Sequence, residues 1–209
     1  YIVSNHDPED MIDLEGFFDL VLTDAPCSGE GLFRKDPKAR NEWSVDSVQL
    51  CSARQKRILQ AAAMLVAPNG YLCYSTCTYN EKENQENAKW LTQTADFEEV
   101  KLNIPAEWNI TEKSFGYQFF PHKTKGEGFY LAIFRKTQGS RAEVRGKVKF
   151  NRVPQKKVEL LKKWLENPEA PSNLRLYKIH PTRVDRIYPH ASPNTDRSGF
   201  FVALLAVIL

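Results

Sequence analysis

The 209 residues carry 29 Lys and Arg against 26 Asp and Glu, a formal net charge of +3, and 42% are hydrophobic. That balance is ordinary for a globular protein with a real core and excludes a disordered or fibrous chain. No N-terminal stretch joins a basic start, an apolar run and a small-residue cleavage site, so nothing points to secretion. The longest apolar run, Gly199 to Leu209, has about half of the roughly 20 residues a membrane span needs and reads as a buried strand.

The first probable strand is Tyr1-Ile2-Val3, followed by Asp7. Phe17 to Thr23 is a second apolar run, ended by Asp24-Ala25-Pro26. The segment from Cys27 to about Trp43, rich in Gly, Pro and charge, is long for a simple connection, as functional loops often are. Ser47 to Val66 carries apolar residues at helical spacing, with Pro68-Asn69-Gly70 as its stop. Tyr71 to Ser75 is the next strand, with Thr76-Cys77-Thr78 at its C-terminal end. Asn80 followed by Glu83 matches a capping box opening a helix to about Thr94. Phe97 to Leu102 reads as a strand, and Phe119-Phe120-Pro121 with Gly128 to Arg135 reads as a terminal hairpin. Alternating strands and helices predict an α/β fold: a parallel, doubly wound sheet with an antiparallel edge. Ligands of such sheets bind beyond the carboxyl ends of strands, where Asp24 and Cys77 both fall.

Beyond Lys136 the pattern weakens. Arg141 to Lys163 holds nine basic residues against two acids, Glu143 and Glu159, a charge suited to a phosphate backbone. A short helix from about Lys156 to Glu166, a Pro-rich loop and a final strand complete the chain, with a domain boundary near Thr137. One motif occurs twice: Phe120-Pro121-His122 before Gly128-Phe129-Tyr130-Leu131-Ala132, and Tyr188-Pro189-His190 before Gly199-Phe200-Phe201-Val202-Ala203.

Four cysteines, Cys27, Cys51, Cys73 and Cys77, form neither a zinc-like CxxC pair nor a disulfide framework. Reduced thiols, a cytoplasmic location, and neither metal nor membrane partner are expected. Cys51 on a helix face and Cys73 inside a strand read as small buried hydrophobes. Cys27 and Cys77 stand in motifs instead: Asp24-Ala25-Pro26-Cys27-Ser28-Gly29-Glu30-Gly31 and Ser75-Thr76-Cys77-Thr78. A thiolate adding to C6 of a cytosine breaks its aromaticity and makes C5 enamine-like, able to accept a methyl group from a sulfonium donor. A carboxylic acid beside it can supply the proton or hydrogen bond that N3 needs.

DAPCSGEG, the following LFRKDP, STCT, and the closing GEGFYLA with FRK resemble the RNA cytosine-C5 methyltransferase family, and within it the bacterial ribosomal-RNA branch. The resemblance covers roughly residues 1–136. It implies a partial Rossmann-like class I S-adenosylmethionine methyltransferase sheet over 1–136. For 137–209 it implies a basic linker and a small α+β, PUA-like RNA-binding region. It further implies Cys77 as nucleophile, Cys27 as the residue that helps release product, and Asp24 as a contact to base and cofactor. Pro26 and Asp7 would join Asp24 in binding S-adenosylmethionine, Asp7 at the adenine. RNA, presumed ribosomal, is the expected partner. Arg34 and Lys35 are candidates for its phosphates. His122 reads as a turn residue, and Trp43, Trp90, Trp108 and Trp164 as core.

One departure is large. The family's glycine-rich cofactor loop does not precede Tyr1, and the only early glycine is Gly16. A piece of a longer protein, with weak cofactor binding alone and one uncovered sheet edge, is therefore expected. The competing reading is a non-catalytic RNA-binding module with a remnant methyltransferase fold. An adenine or protein methyltransferase fits less well, because its loop would read Asp/Asn-Pro-Pro-aromatic rather than Asp24-Ala25-Pro26-Cys27.

Overall fold

A computed structural model describes residues 7–141 together with three strand segments at 151–152, 177–178 and 202–206. The chain divides into two compact units, one of Tyr1–Ala142 with Gly199–Leu209 and one of Glu143–Ser198. In the second unit the described elements are two short strands, β7 (Asn151–Arg152) and β8 (Tyr177–Lys178), which pair antiparallel. The Tyr1–Val3 strand, the helix near 156–166, the first part of the repeat's second copy and the PUA-like assignment lie outside the described residues. So does the basic stretch, except for Arg141, which pairs with Asp19 at 2.9 Å, and the β7 strand position at 151–152.

The first unit is a mixed α/β sheet. Its strands are β1 (Phe18–Asp24), β2 (Val66–Thr76), β3 (Phe97–Glu99), β4 (Thr111–Glu112), β5 (Tyr117–Phe119), β6 (Phe129–Lys136) and β9 (Val202–Ala206). They run in the order β4-β5-β6-β2-β1-β9, with β3 also on β6. β1 is parallel to β2 and to β9, whereas β6 is antiparallel to β2, β3 and β5. The expected hairpin is present as β5 and β6. β9 lies along β1 from Leu20↔Val202 to Asp24↔Ala206, so among the described residues the sheet ends at β9 rather than at β1. The two copies of the Gly-aromatic repeat therefore flank the β1–β2 pair, β6 antiparallel on one side and β9 parallel on the other.

Strand alternation sorts the side chains. Leu72, Tyr74 and Thr76 of β2 and Tyr130, Ala132 and Phe134 of β6 are fully buried, facing α2 (Val45–Leu65) and α3 (Gln85–Thr94), which follow the short α1 (Pro37–Glu42) in the chain. Val48, Ile58, Leu59, Ala62 and Leu65 form the inner stripe of α2, at the helical spacing expected. Ser44 opens that helix by accepting from the Ser47 amide at 3.0 Å.

Two expected boundaries move. Helix α2 ends at Leu65, as expected, but the next strand starts at Val66 rather than Tyr71, with Pro68-Asn69-Gly70 looped out where the register jumps from Phe18↔Val66 to Leu20↔Tyr71. Asn69 there has φ 63°, and a Cβ on Gly70 would sit 2.9 Å from the carbonyl oxygens of Ala67 and Asp19. The capping box at Asn80 is replaced by an Asx turn, with Lys82 N–H on Asn80 Oδ1 at 3.1 Å. The helix starts only at Gln85, because Glu83 turns inward to other partners. Trp108 is 59% exposed, against its expected place in the core. Among the described residues no helix is long and apolar enough to cross a membrane.

Leu59 is fully buried between α2 and the sheet. Leu59→Ala is expected to lower stability by about 2–5 kcal/mol, read as a shifted urea midpoint with little change in slope.

Candidate active site

β1 and β2 are adjacent and parallel, so the loops after them emerge side by side at their carboxyl ends. The Ala25 amide donates to the Ser75 carbonyl at 3.0 Å, carrying the pairing one step past the strands. Cys27 and Cys77 then meet, with their sulfurs 3.1 Å apart, both half-buried. Asp24 lies exposed at the end of β1 and accepts from Ser75 Oγ at 3.2 Å. Of the cysteines, the two set in motifs come together, while Cys51 and Cys73 are elsewhere, with burial raising both thiols above the ordinary range.

The loops are held by a carboxylate that sequence reasoning missed. Glu83 is fully buried. It accepts from the Ser28 amide at 2.9 Å, from Ser28 Oγ at 2.5 Å and from Gln55 Nε2 at 2.8 Å. Gln55 Nε2 also donates to the Pro26 carbonyl at 2.8 Å, while its Oε1 accepts from Tyr74 OH at 3.1 Å and Asn87 Nδ2 at 2.8 Å. Burial raises the Glu83 carboxyl above the usual range, and the bonds from Ser28 and Gln55 oppose that. Gln55 sits on the apolar stripe of α2, seven residues after Val48 and four after Cys51. A lone amide at a core position was the available signal.

Three residues after Cys27 make further contacts that stitch the loops. Ser28 Oγ lies 3.1 Å from Thr78 Oγ1. Glu30 accepts from the Tyr79 amide at 3.0 Å, Asn80 Nδ2 at 3.3 Å and Trp43 Nε1 at 3.0 Å. The Gly31 amide donates to the Cys77 carbonyl at 2.8 Å, and a Cβ on Gly31 would lie 2.5 Å from that oxygen. Below Cys77, the buried amides of Asn84 and Gln118 both donate to the Thr78 carbonyl, at 2.9 and 3.3 Å. Every residue of the Asp24–Gly31 motif thus has a stated contact or, for Gly29 at φ 73°, a left-handed backbone.

The remaining candidates are placed differently. Both Asp7 oxygens are bound by Arg57 at 2.9 Å, and Oδ1 also accepts from the Glu9 amide at 3.1 Å; the Arg57 guanidinium holds that carboxyl below its ordinary range. Arg34 donates to the Gly126 carbonyl at 2.8 Å, and Lys35 pairs with Glu127 at 3.3 Å. Those two bind the 30–35 turn to the loop before β6.

The thiols are not equivalent. The hydrogen bond from Cys27 favours a thiolate at Cys77 and lowers its pKa, against burial and the negative charge of Asp24. The same contact, with burial, pushes the Cys27 thiol far up. Iodoacetamide should therefore alkylate one thiol at a rate that rises at a pH below about 8.5, the ordinary cysteine value. Cys77→Ser should remove that phase, and loss of it in Cys27→Ser alone would reverse the assignment.

A carboxyl that binds its proton more tightly folded than unfolded stabilises most below its unfolded value, and the contribution fades as pH rises through the folded value. The stability gap between wild type and Glu83→Gln should accordingly narrow as pH rises from about 4 towards neutrality. Urea midpoints with a constant gap would contradict the raised carboxyl.

Known proteins resemble the chain over this region. Ribosomal RNA small subunit methyltransferase F from Cronobacter sakazakii is 43% identical over 125 residues, 57% of this chain and 26% of its own. The protein of that name from Escherichia coli O17:K52:H18 is 40% identical over 146 residues, 68% of this chain and 30% of its own. The chain thus spans between a quarter and a third of the length of these curated relatives. The crystal structure of NSun6 from Pyrococcus horikoshii with SFG superimposes with a TM-score of 0.54 at 26% identity, over 66% of this chain and 35% of that one. Residues 1–135 match the family described as 16S rRNA methyltransferase RsmB/F, and the chain belongs to that family.

Proposed function

We propose that this chain carries the nucleophile half of an enzyme that methylates C5 of a cytosine in ribosomal RNA, with S-adenosylmethionine as donor. The observation that carries this reading is the 3.1 Å contact between Cys27 and Cys77 at the carboxyl ends of two parallel strands. The names of the relatives support RNA as substrate. SFG, an S-adenosylmethionine analogue in the NSun6 structure, supports the donor.

Cys77, made easier to ionise by a hydrogen bond from the Cys27 thiol, adds as its thiolate to C6 of a cytosine turned out of its strand. Asp24, exposed beside it, supplies the hydrogen bond or proton at N3 as the ring electrons move to C5. When the C5 proton is lost to solvent base and the C6–sulfur bond breaks, the electron pair returns to Cys77. The Cys27 thiol then donates its hydrogen bond to the departing sulfur. An S–H donor 3.1 Å from the leaving atom is what that step requires.

The donor set suits a cationic cofactor. Asp24, at the exposed end of β1 with one oxygen on Ser75 Oγ, would with the adjoining Pro26 hold the sulfonium compound there. When bound, it supplies an electrophilic methyl group. Asp7 would join this site only by exchanging Arg57 for the cofactor, since both its oxygens are taken.

Covalent trapping on the full-length protein tests the reading, with 5-fluorocytosine-substituted RNA and S-adenosylmethionine. A denaturation-resistant complex is expected with wild type and none with Cys77→Ala. Cys27→Ala should trap unmodified RNA, because product release is what fails. Trapping by Cys77→Ala would overturn the nucleophile assignment.

A further inference from the structure

A basic and aromatic cleft lies one ring away from the Cys77 loop. Tyr79, two residues after Cys77, stacks on Phe120 with ring centroids 5.6 Å apart and planes at 23°. Its hydroxyl donates to the Glu127 carbonyl at 2.5 Å, which fixes the ring. Phe120 in turn meets His122 at 5.4 Å. Beyond that ring opens a cleft of about 490 Å³ lined by Asn109, Ile110, Thr111, His122 and Lys123. Its size falls within the ~300–1,000 Å³ of small-ligand sites.

Two ammonium groups stand near the Phe120 ring, that of Lys123, which lines the cleft, and that of Lys113. Lys113 Nζ stands 5.7 Å and Lys123 Nζ 5.9 Å from the Phe120 ring centre. Lys123 is oriented by donating to Thr111 Oγ1 at 3.1 Å. Neither lysine, nor the exposed Lys125, is in an ion pair among the described residues. Of the nearby acids, Glu112 pairs with Lys101 at 3.2 Å and Glu127 with Lys35 at 3.3 Å, leaving the exposed Glu107 against Lys113, Lys123 and Lys125. The uncompensated charge is therefore positive, and His122, exposed, offers a ring face. Cations set around exposed rings suit an unpaired nucleotide, with phosphate on the ammonium groups and base on the ring.

We propose that this cleft seats a nucleotide flanking the target cytosine in single-stranded RNA. Lys113 and Lys123 contact its phosphate, and His122 stacks on its base. The assignment rests on RNA being the substrate and adds the path of the strand: from the thiol, across Tyr79 and Phe120, to the β4 edge. A flanking base seated there makes the enzyme sensitive to the neighbour of its target, because a ring stacks on any base but fits some better.

The test measures binding of a short single-stranded RNA to the full-length protein over a range of salt concentrations, without requiring turnover. Lys123→Ala and Lys113→Ala should each lower the slope of log Kd against log salt by about 0.7, one phosphate contact on a single strand. At physiological salt that corresponds to roughly fourfold weaker binding. Lys123→Arg should restore the slope, and Lys89→Ala, an exposed lysine on α3, should leave it unchanged. Wild-type slopes in both cleft variants, or an equal loss in Lys89→Ala, would overturn the cleft. If slopes change as stated while no 5-fluorocytosine adduct forms, the cleft stands as an RNA site and the methyl-transfer reading falls. Normal adduct formation with unchanged slopes has the opposite meaning.

Discussion

The site depends on one buried carboxylate. Glu83 has no exposure to solvent, and its two oxygens accept three hydrogen bonds, two from Ser28 and one from Gln55. An isolated charge in that position would cost several kcal/mol, and the donors are what make it tolerable. Those same donors belong to the loop after β1 and to helix α2, while Glu83 belongs to the segment after β2. One desolvated group therefore fixes three elements at once. The sulfur-to-sulfur contact of Cys27 and Cys77 is a by-product of that fixation, since Ser28 adjoins one cysteine and bonds to Thr78, which adjoins the other.

Much of the frame was legible in the sequence because it obeys simple periodicities. The apolar spacing from Val48 to Leu65 marks α2, and the short runs at Phe17 and Tyr71 mark β1 and β2. The paired motifs ending in Cys27 and Cys77 announced a shared site, since parallel strands place their carboxyl ends together. What was not legible has a common cause. Glu83 satisfies the local grammar of a capping box, and only the tertiary pull of Ser28 and Gln55 turns it inward. Gln55 stands out as an amide on the apolar stripe of α2, but its partners Pro26, Tyr74, Glu83 and Asn87 are visible only once the helix is seated. Pro68-Asn69-Gly70 follows the end of α2 as a helix stop should, yet the pairing of β2 with β1 begins before it and resumes after it, which the local signal does not show. Local signals lose where a long-range partner offers more hydrogen bonds than the neighbours do.

The sheet explains why a short stretch of chain can bring this site together. β2 is central, with β1 parallel on one side and β6 antiparallel on the other, so the Cys77 loop is flanked by pairing on both sides. The loop before β6 reaches back to it through Tyr79, Arg34 and Lys35. In this way a strand paired on both sides carries Cys77 just beyond its end. β9, the strand from the second copy of the repeat, extends the parallel half of the sheet beside β1.

Gly31 shows how closely the two loops are fitted. Its missing side chain is occupied space: the Cys77 carbonyl oxygen lies where a methyl carbon would go, and the Gly128 carbonyl stands 3.2 Å from the same point. A single added carbon there would act as a wedge, displacing the peptide that carries the thiol while leaving every titratable group in the sequence intact. Damage to the chemistry can thus enter through volume alone, at a residue that has no chemistry of its own.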